Sequence, residues 1–180
     1  MNVEDIFSLS NKIIDKEDLG FECVYYYLPP KFSKDLEHSV VCSVMWTLDN
    51  YYNIRKIPIQ IGYQHNNLVL EIIKNSRWHG GSKDNNETYL GLFFDNEKFI
   101  LGCYDGGDYF KKEETKEIWE NKKELKEFHK SNQHGIGYHF GYNYFKDKLD
   151  EIRIDTKNGV FYGIVNIKNY LNKSNLLKQK

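Results

Sequence analysis

The spacing of hydrophobic positions along this chain changes several times, and each change predicts an element. After Ser33, "KDLEHSVVCSVMWTLDNYY" repeats Leu36, Val40, Val44 and Leu48 every four residues. One apolar face and a Ser N-cap predict a long helix. Pro58 suits the first turn of a second helix, which runs through "IQIGYQHNNLVLEIIKNSRW" and stops near the glycines of "HGG". Upstream, "FECVYYYLPP" (21–30) is aromatic and β-branched and ends on two prolines, as an edge strand would. Ile6, Phe7, Leu9, Ile13 and Ile14 are spaced for a short, weakly docked helix before Gly20.

"TYLGLFFD", "NE" and "KFILGCYD" are two apolar runs around a short polar turn, which predict a hairpin. The highly charged "FKKEETKEIWENKKELKEFHKSNQ" has only Ile118, Trp119, Leu125 and Phe128 as an apolar stripe and suits a surface helix between mobile connections. The glycines of "HGIGYHFGYNYF" open another helix, and "LDEIRIDTK", "NG" and "VFYGIVNIK" predict a second hairpin with a type I′ turn. The tail "NKSNLLKQK" is expected to fray. Strands joined mainly as hairpins, with helices to cover one face, predict an α+β protein: a two-layer sandwich with a mixed sheet.

At 180 residues the chain suits one domain: a helical extension over 1–20, a main domain over 21–172 and a flexible tail over 173–180. A formal net charge of −1 provides no global basic field, so nucleic acid is not an expected partner. Cys23, Cys42 and Cys103 have no CxxC spacing, which suits reduced thiols in a cytoplasmic setting. No stretch approaches the roughly 18 apolar residues of a membrane span, and the N-terminus lacks the pattern of a signal peptide. The abundance of Lys, Asn, Ile and Tyr resembles the imprint of an AT-rich coding sequence, so the aromatic content by itself carries no functional signal.

Polar and glycine-bearing positions fall at three element ends, where ligands are commonly held. Glu71 and Asn75 lie one turn apart on the second helix, "DGGD" follows a strand, and "GIG" opens a later helix. Taken singly these are a solvated helix face, a turn and a weak glycine pattern. In this order, from about Phe21 to Tyr170, they resemble the GHKL nucleotide-binding family. That is the histidine-kinase-like ATP-binding fold of sensor histidine kinases, anti-sigma-factor serine kinases, type II topoisomerases, mismatch-repair ATPases and related chaperones. Its N-box is matched by Glu71 and Asn75, its Asp-x-Gly box by Asp105 and Gly107, and its Gly-x-Gly box by Gly135 and Gly137, with a lid over about 108–134.

The resemblance implies ATP or ADP and Mg2+ as cofactors and gives each residue a role. Asn75 would offer an amide oxygen to Mg2+, the metal binding through the phosphates. Glu71, on the same helical face, would accept a proton from the attacking water or hydroxyl. Asp105 would take a hydrogen bond from the adenine amine, with Gly107 leaving room for the base. Gly135 and Gly137 would present helix N-terminal amides to phosphate. The chain departs from the family at Tyr109, where a glycine is usual, and at Val160, where a threonine often stands. His79 reads as a cap or packing residue.

Only about twenty residues precede the first expected strand, and His38 lies in no phosphoacceptor motif, so autophosphorylation is not expected. A second, energy-transmitting domain is not expected within these 180 residues. The layout is most similar to stand-alone anti-sigma-factor kinases, which implies a regulatory protein partner phosphorylated on Ser or Thr, or bound in a nucleotide-dependent way. The alternatives are a non-catalytic nucleotide-gated module and the ATP-binding half of a split histidine-kinase system; a homodimer is compatible with each. His129, His134 and His139 recur every five residues. That is about 140° of helical rotation and a poor metal-ligand spacing. The aromatics of "YHFGYNYF" suit core packing better than base stacking, since no basic groove accompanies them.

Overall fold

The structure is a computed structural model, and it describes residues 3–8, 22–55, 66–74, 87–120 and 149–169. Strands β1 (Glu22–Leu28), β2 (Thr88–Phe94), β3 (Lys98–Tyr104), β4 (Glu151–Asp155) and β5 (Val160–Asn166) form one sheet in the order β1-β2-β3-β5-β4. All four pairings are antiparallel, which replaces the mixed sheet expected from the sequence. The two hairpins account for two of these pairings. Of the others, β1 pairs with β2, which the chain enters in the opposite sense, and β3 pairs with β5; β4 runs in the same sense as β3, so it is the second strand of its hairpin that pairs antiparallel with β3. The two-layer α+β arrangement itself is as expected.

Helix α1 (Val3–Ile6) is a single turn, α2 (Lys34–Ile54) is the long helix, α3 is the helical stretch 66–74, and α4 is Glu113–Glu120. Ser33 caps α2 as its sequence implies: its hydroxyl oxygen accepts the Leu36 N–H at 3.1 Å. Val40, Val44 and Leu48 are buried on the predicted face of α2. Leu68, Val69, Ile72 and Ile73 anchor α3 in the same core, against Leu90, Leu92, Phe94, Phe99 and Leu101 of the sheet. Period two in the strands sends alternate side chains to opposite faces. Leu90, Leu92 and Leu101 therefore meet the helices, while Phe93, Ile100, Val160, Tyr162 and Ile164 point the other way.

That second face is also covered in part, which corrects the one-sided covering expected. Ile6 and Phe7, each 1% exposed, pack among Phe93, Ile100, Val160 and Tyr162. The start of the chain is thus tightly packed rather than weakly docked; the remainder of the expected extension, 9–20, lies outside the described residues. Phe7 fits because the sheet has a slot beneath it. Gly91 and Gly102 are directly opposite each other across β2 and β3, and a Cβ on Gly102 would meet the Phe7 ring at 2.8 Å. Tyr25 stacks on one side of Phe7 with centroids 5.8 Å apart, and Tyr162 lies edge-on at 6.3 Å. Full burial of a phenylalanine is worth about 1.5–3 kcal/mol.

Both hairpins form where expected, but their turns are built by carboxylates. In the β2–β3 turn, Asp95 Oδ1 accepts the Glu97 N–H at 2.7 Å and the Lys98 N–H at 2.5 Å. In the second, the type I′ turn expected from Asn-Gly does not form: Asn158 has negative φ, and Gly159 alone is left-handed at φ 71°. Asp155 Oδ1 accepts the N–H groups of Lys157 and Asn158, and the Gly159 N–H reaches the Asp155 carbonyl at 2.7 Å. This Asx turn spans Thr156–Gly159 and outcompetes the two-residue turn.

Candidate functional site

The candidate site is built at the C-terminal end of β3. Cys103 faces the core, Tyr104 the second face, and Asp105 follows where strand pairing stops. Asp105 is 7% exposed, and its Oδ1 accepts the Gly107 N–H at 2.9 Å. Gly106 between them takes φ 70°, the left-handed conformation glycine tolerates, so "DGG" closes into a tight turn around the carboxylate. Burial pushes the Cys103 thiol well above its ordinary value, and the nearby Asp105 charge adds to the effect.

This turn lies against the β4–β5 turn. A Cβ on Gly159 would come within 3.6 Å of the Gly107 carbonyl and 3.0 Å of the Lys111 side chain. The "DGGD" and "NGV" stretches, far apart in sequence, are therefore neighbours. Val160, at the position where the family often has threonine, is fully buried on the second face with Ile6 and Phe7.

Glu71 sits on α3 with its side chain 44% exposed, on the flank of a helix otherwise anchored in the core. Lys74 Nζ lies 3.3 Å from Glu71 Oε1 in an i,i+3 pair. In that solvated setting the pair contributes about 0–1 kcal/mol and leaves the carboxylate available. Of the expected site residues, the structure brings Asp105 and Gly107 into direct contact and places Glu71 on its predicted helix. Asn75, His79, Gly135 and Gly137 lie outside the described residues, as do Pro58, His129, His134 and His139. Among the described residues no group of three or more His, Cys, Asp or Glu side chains could hold a metal ion. None of the described helices is long and apolar enough to cross a membrane.

The start of the expected lid is packed down rather than a mobile connection. Tyr109–Lys111 form a 3-10 turn, and α4 follows. Trp119, 3% exposed, donates its indole N–H to the Tyr109 hydroxyl at 3.2 Å and meets Phe161 edge-on at 5.4 Å. Phe110 completes a triangle with them, its centroid 6.1 Å from Trp119 and 5.7 Å from Phe161. Burial raises the Tyr109 phenol, partly offset by the Trp119 hydrogen bond. Glu120 Oε1 accepts the Ile154 N–H at 2.8 Å, and Glu113 accepts the Thr156 hydroxyl at 2.7 Å. These contacts attach α4 along β4 and leave 121–134 as the part of the expected lid beyond the described residues.

No protein-family model matches the chain, and no curated protein matches it. A tyrosine cluster on the second sheet face was not apparent from the sequence. Tyr27 and Tyr89 both donate to the Glu87 carboxylate, at 3.2 and 2.9 Å, and Tyr104 lies beyond Tyr89 at 6.2 Å. The alternation of Tyr25 and Tyr27 in β1 was the available signal, but cross-strand register was needed to join it to Tyr89 and Tyr104.

Proposed function

We propose that this protein is an adenine-nucleotide-binding module of the histidine-kinase-like type, which phosphorylates a Ser or Thr of a regulatory partner protein. The observation that carries this reading is Asp105: a buried carboxylate at a strand end, fixed by the amide of the glycine two residues on. A buried acceptor held in one orientation can select a ligand amine, as adenine recognition requires. The element order and the half-exposed Glu71 on a core-anchored helix support the same reading.

In this reading Asp105 would accept the adenine amine hydrogen and Gly107 would let the base approach. Amides at Gly135 and Gly137 would hold phosphate. The donors fit Mg2+ held through phosphates, since one amide oxygen from Asn75 suffices where water and phosphate complete the coordination. Bound Mg2+ would neutralise phosphate charge. Glu71 would accept the proton of the partner hydroxyl as its oxygen bonds to the γ-phosphorus, while the bond to the bridging oxygen breaks and ADP leaves.

The second reading, a nucleotide-gated regulator without turnover, is favoured by Tyr109. Where the family usually has glycine, this residue is clasped by Trp119 and Phe110, which stiffens the start of the lid. Calorimetric titration with ATP, with and without Mg2+, on the wild type, Asn75→Ala and Asp105→Ala tests nucleotide binding. Absence of binding to the wild type at millimolar nucleotide would reject both readings. With labelled ATP and candidate partners, protein-bound phosphate that disappears in Glu71→Gln supports the kinase; tight binding without transfer supports the regulator.

A further inference from the structure

The sheet face opposite α3 carries a row of tyrosines that the nucleotide reading leaves unexplained. Tyr27, Tyr89 and Tyr104 are consecutive cross-strand partners on β1, β2 and β3. Their ring centroids are 5.2 and 6.2 Å apart, inclined by 44° and 45°. Tyr27 is 47% exposed at the sheet edge, Tyr89 and Tyr104 are half-buried, and Glu87 is exposed beside them.

The hydrogen bonding of this row has a definite polarity. The Tyr27 hydroxyl donates to Glu87 Oε1 and the Tyr89 hydroxyl to Oε2, so both phenolic hydrogens point into the same carboxylate. What these two phenols offer a ligand is therefore oxygen lone pairs and the negative faces of their rings, next to a carboxylate charge. An anion or another acceptor finds no complement in these two phenols. A planar cation that only donates hydrogen bonds does: a guanidinium stacks on tyrosine faces, is weakly hydrated and can reach a carboxylate at the same time.

We propose that the Tyr27–Tyr89–Tyr104 row, with Glu87, is a docking surface for an arginine-bearing segment of a partner protein. Charge complementarity selects the occupant. The surface does not depend on nucleotide binding: Glu71 and its helix pack on the other sheet face, where Leu68, Val69, Ile72 and Ile73 meet Leu90 and Leu92. Tyr104 nevertheless immediately precedes Asp105, so the docking surface and the candidate site share one strand end.

The test uses the full chain without nucleotide, so its failure is distinguishable from failure of the nucleotide reading. Acetyl-Arg-Gly-Arg-amide is titrated while tyrosine ring and Glu87 resonances are followed by NMR. Saturable shifts at Tyr27, Tyr89 and Tyr104 are expected. Replacing both arginines by citrulline, which keeps the shape and removes the charge, should weaken binding about fivefold or more, as should Glu87→Gln. Tyr27→Leu, an edge position outside the core, should weaken it without loss of fold. Absence of tyrosine shifts at millimolar peptide, equal binding of the citrulline peptide, or undiminished binding by Glu87→Gln would overturn the proposal.

Discussion

Phe7 lies over Gly102 so closely that the glycine hydrogen occupies the only space a side chain would need: a Cβ there would stand 2.8 and 2.9 Å from two ring carbons. Gly102→Ala should therefore destabilise the protein by about 1–3 kcal/mol, measured as a lower urea midpoint. In a Phe7→Ala background the same substitution should cost far less, since the obstructing ring is gone. A double-mutant cycle with coupling indistinguishable from zero would show that Phe7 does not fill the slot.

Thiol reactivity should separate the cysteines. Cys23 and Cys42 are exposed and Cys103 is buried, with its thiol pushed well above the ordinary range. A colorimetric disulfide reagent should titrate two thiols rapidly in the native protein at neutral pH, and the third only after denaturant is added. Rapid reaction of all three would contradict the burial of Cys103.

The Ile154 amide should report on α4. Its hydrogen bond to Glu120 Oε1 shields an outward-facing N–H on the edge strand β4. Glu120→Ala should speed hydrogen exchange at Ile154 and cost about 0.5–1.5 kcal/mol, whereas Glu120→Gln keeps an acceptor and most of the protection. Equal exchange in the two variants would place the protection elsewhere.

Alkaline pH should loosen the second face. Tyr89 is pushed up to about 12, first by its hydrogen bond to Glu87, then by desolvation and charge. Tyr25 is also pushed up to about 12, mainly by burial. Below the ordinary phenol value of about 10, folded and unfolded chains both keep these protons and the stability they contribute is fully present. Between there and the folded values the unfolded chain loses protons that the folded chain retains, so stability falls as pH rises. Urea unfolding across that window should show a steeper decline for the wild type than for Glu87→Gln, whose Tyr89 lies nearer the ordinary value. Identical slopes would remove Glu87 as the cause.

The sequence made the main elements legible where one strong local signal acted alone. Ser33 with its four-residue apolar repeat determined α2, and two apolar runs about a short polar turn determined the β2–β3 hairpin. It misled where two local signals competed: Asn158-Gly159 favours a two-residue turn, but the Asp155 carboxylate collects the Lys157 and Asn158 amides and imposes a longer one. It was silent where the deciding neighbour is distant. Phe7 is unremarkable until register sets Gly91 opposite Gly102, and Tyr27 until Glu87 bridges it to Tyr89. For the candidate site, the motif order singled out Asp105 and Gly107, which prove to be in contact; the Tyr109–Trp119 clasp depends on a fold-back across ten residues that no single motif announces.

The strand order has a consequence for biosynthesis. β5 is the last of the five strands to be made, yet it lies inside the sheet, between β3 and β4. While the ribosome is still adding residues before Val160, β3 lacks one neighbour and β4 lacks the one strand partner it has among the described residues. The aromatic slot for Phe7 also lacks Tyr162 until then. A nascent chain in this state displays open backbone edges and apolar surface at both ends of its translated length, the condition in which holding chaperones engage. Closure waits for the seven-residue strand β5, which joins β4 to the three strands β1–β3.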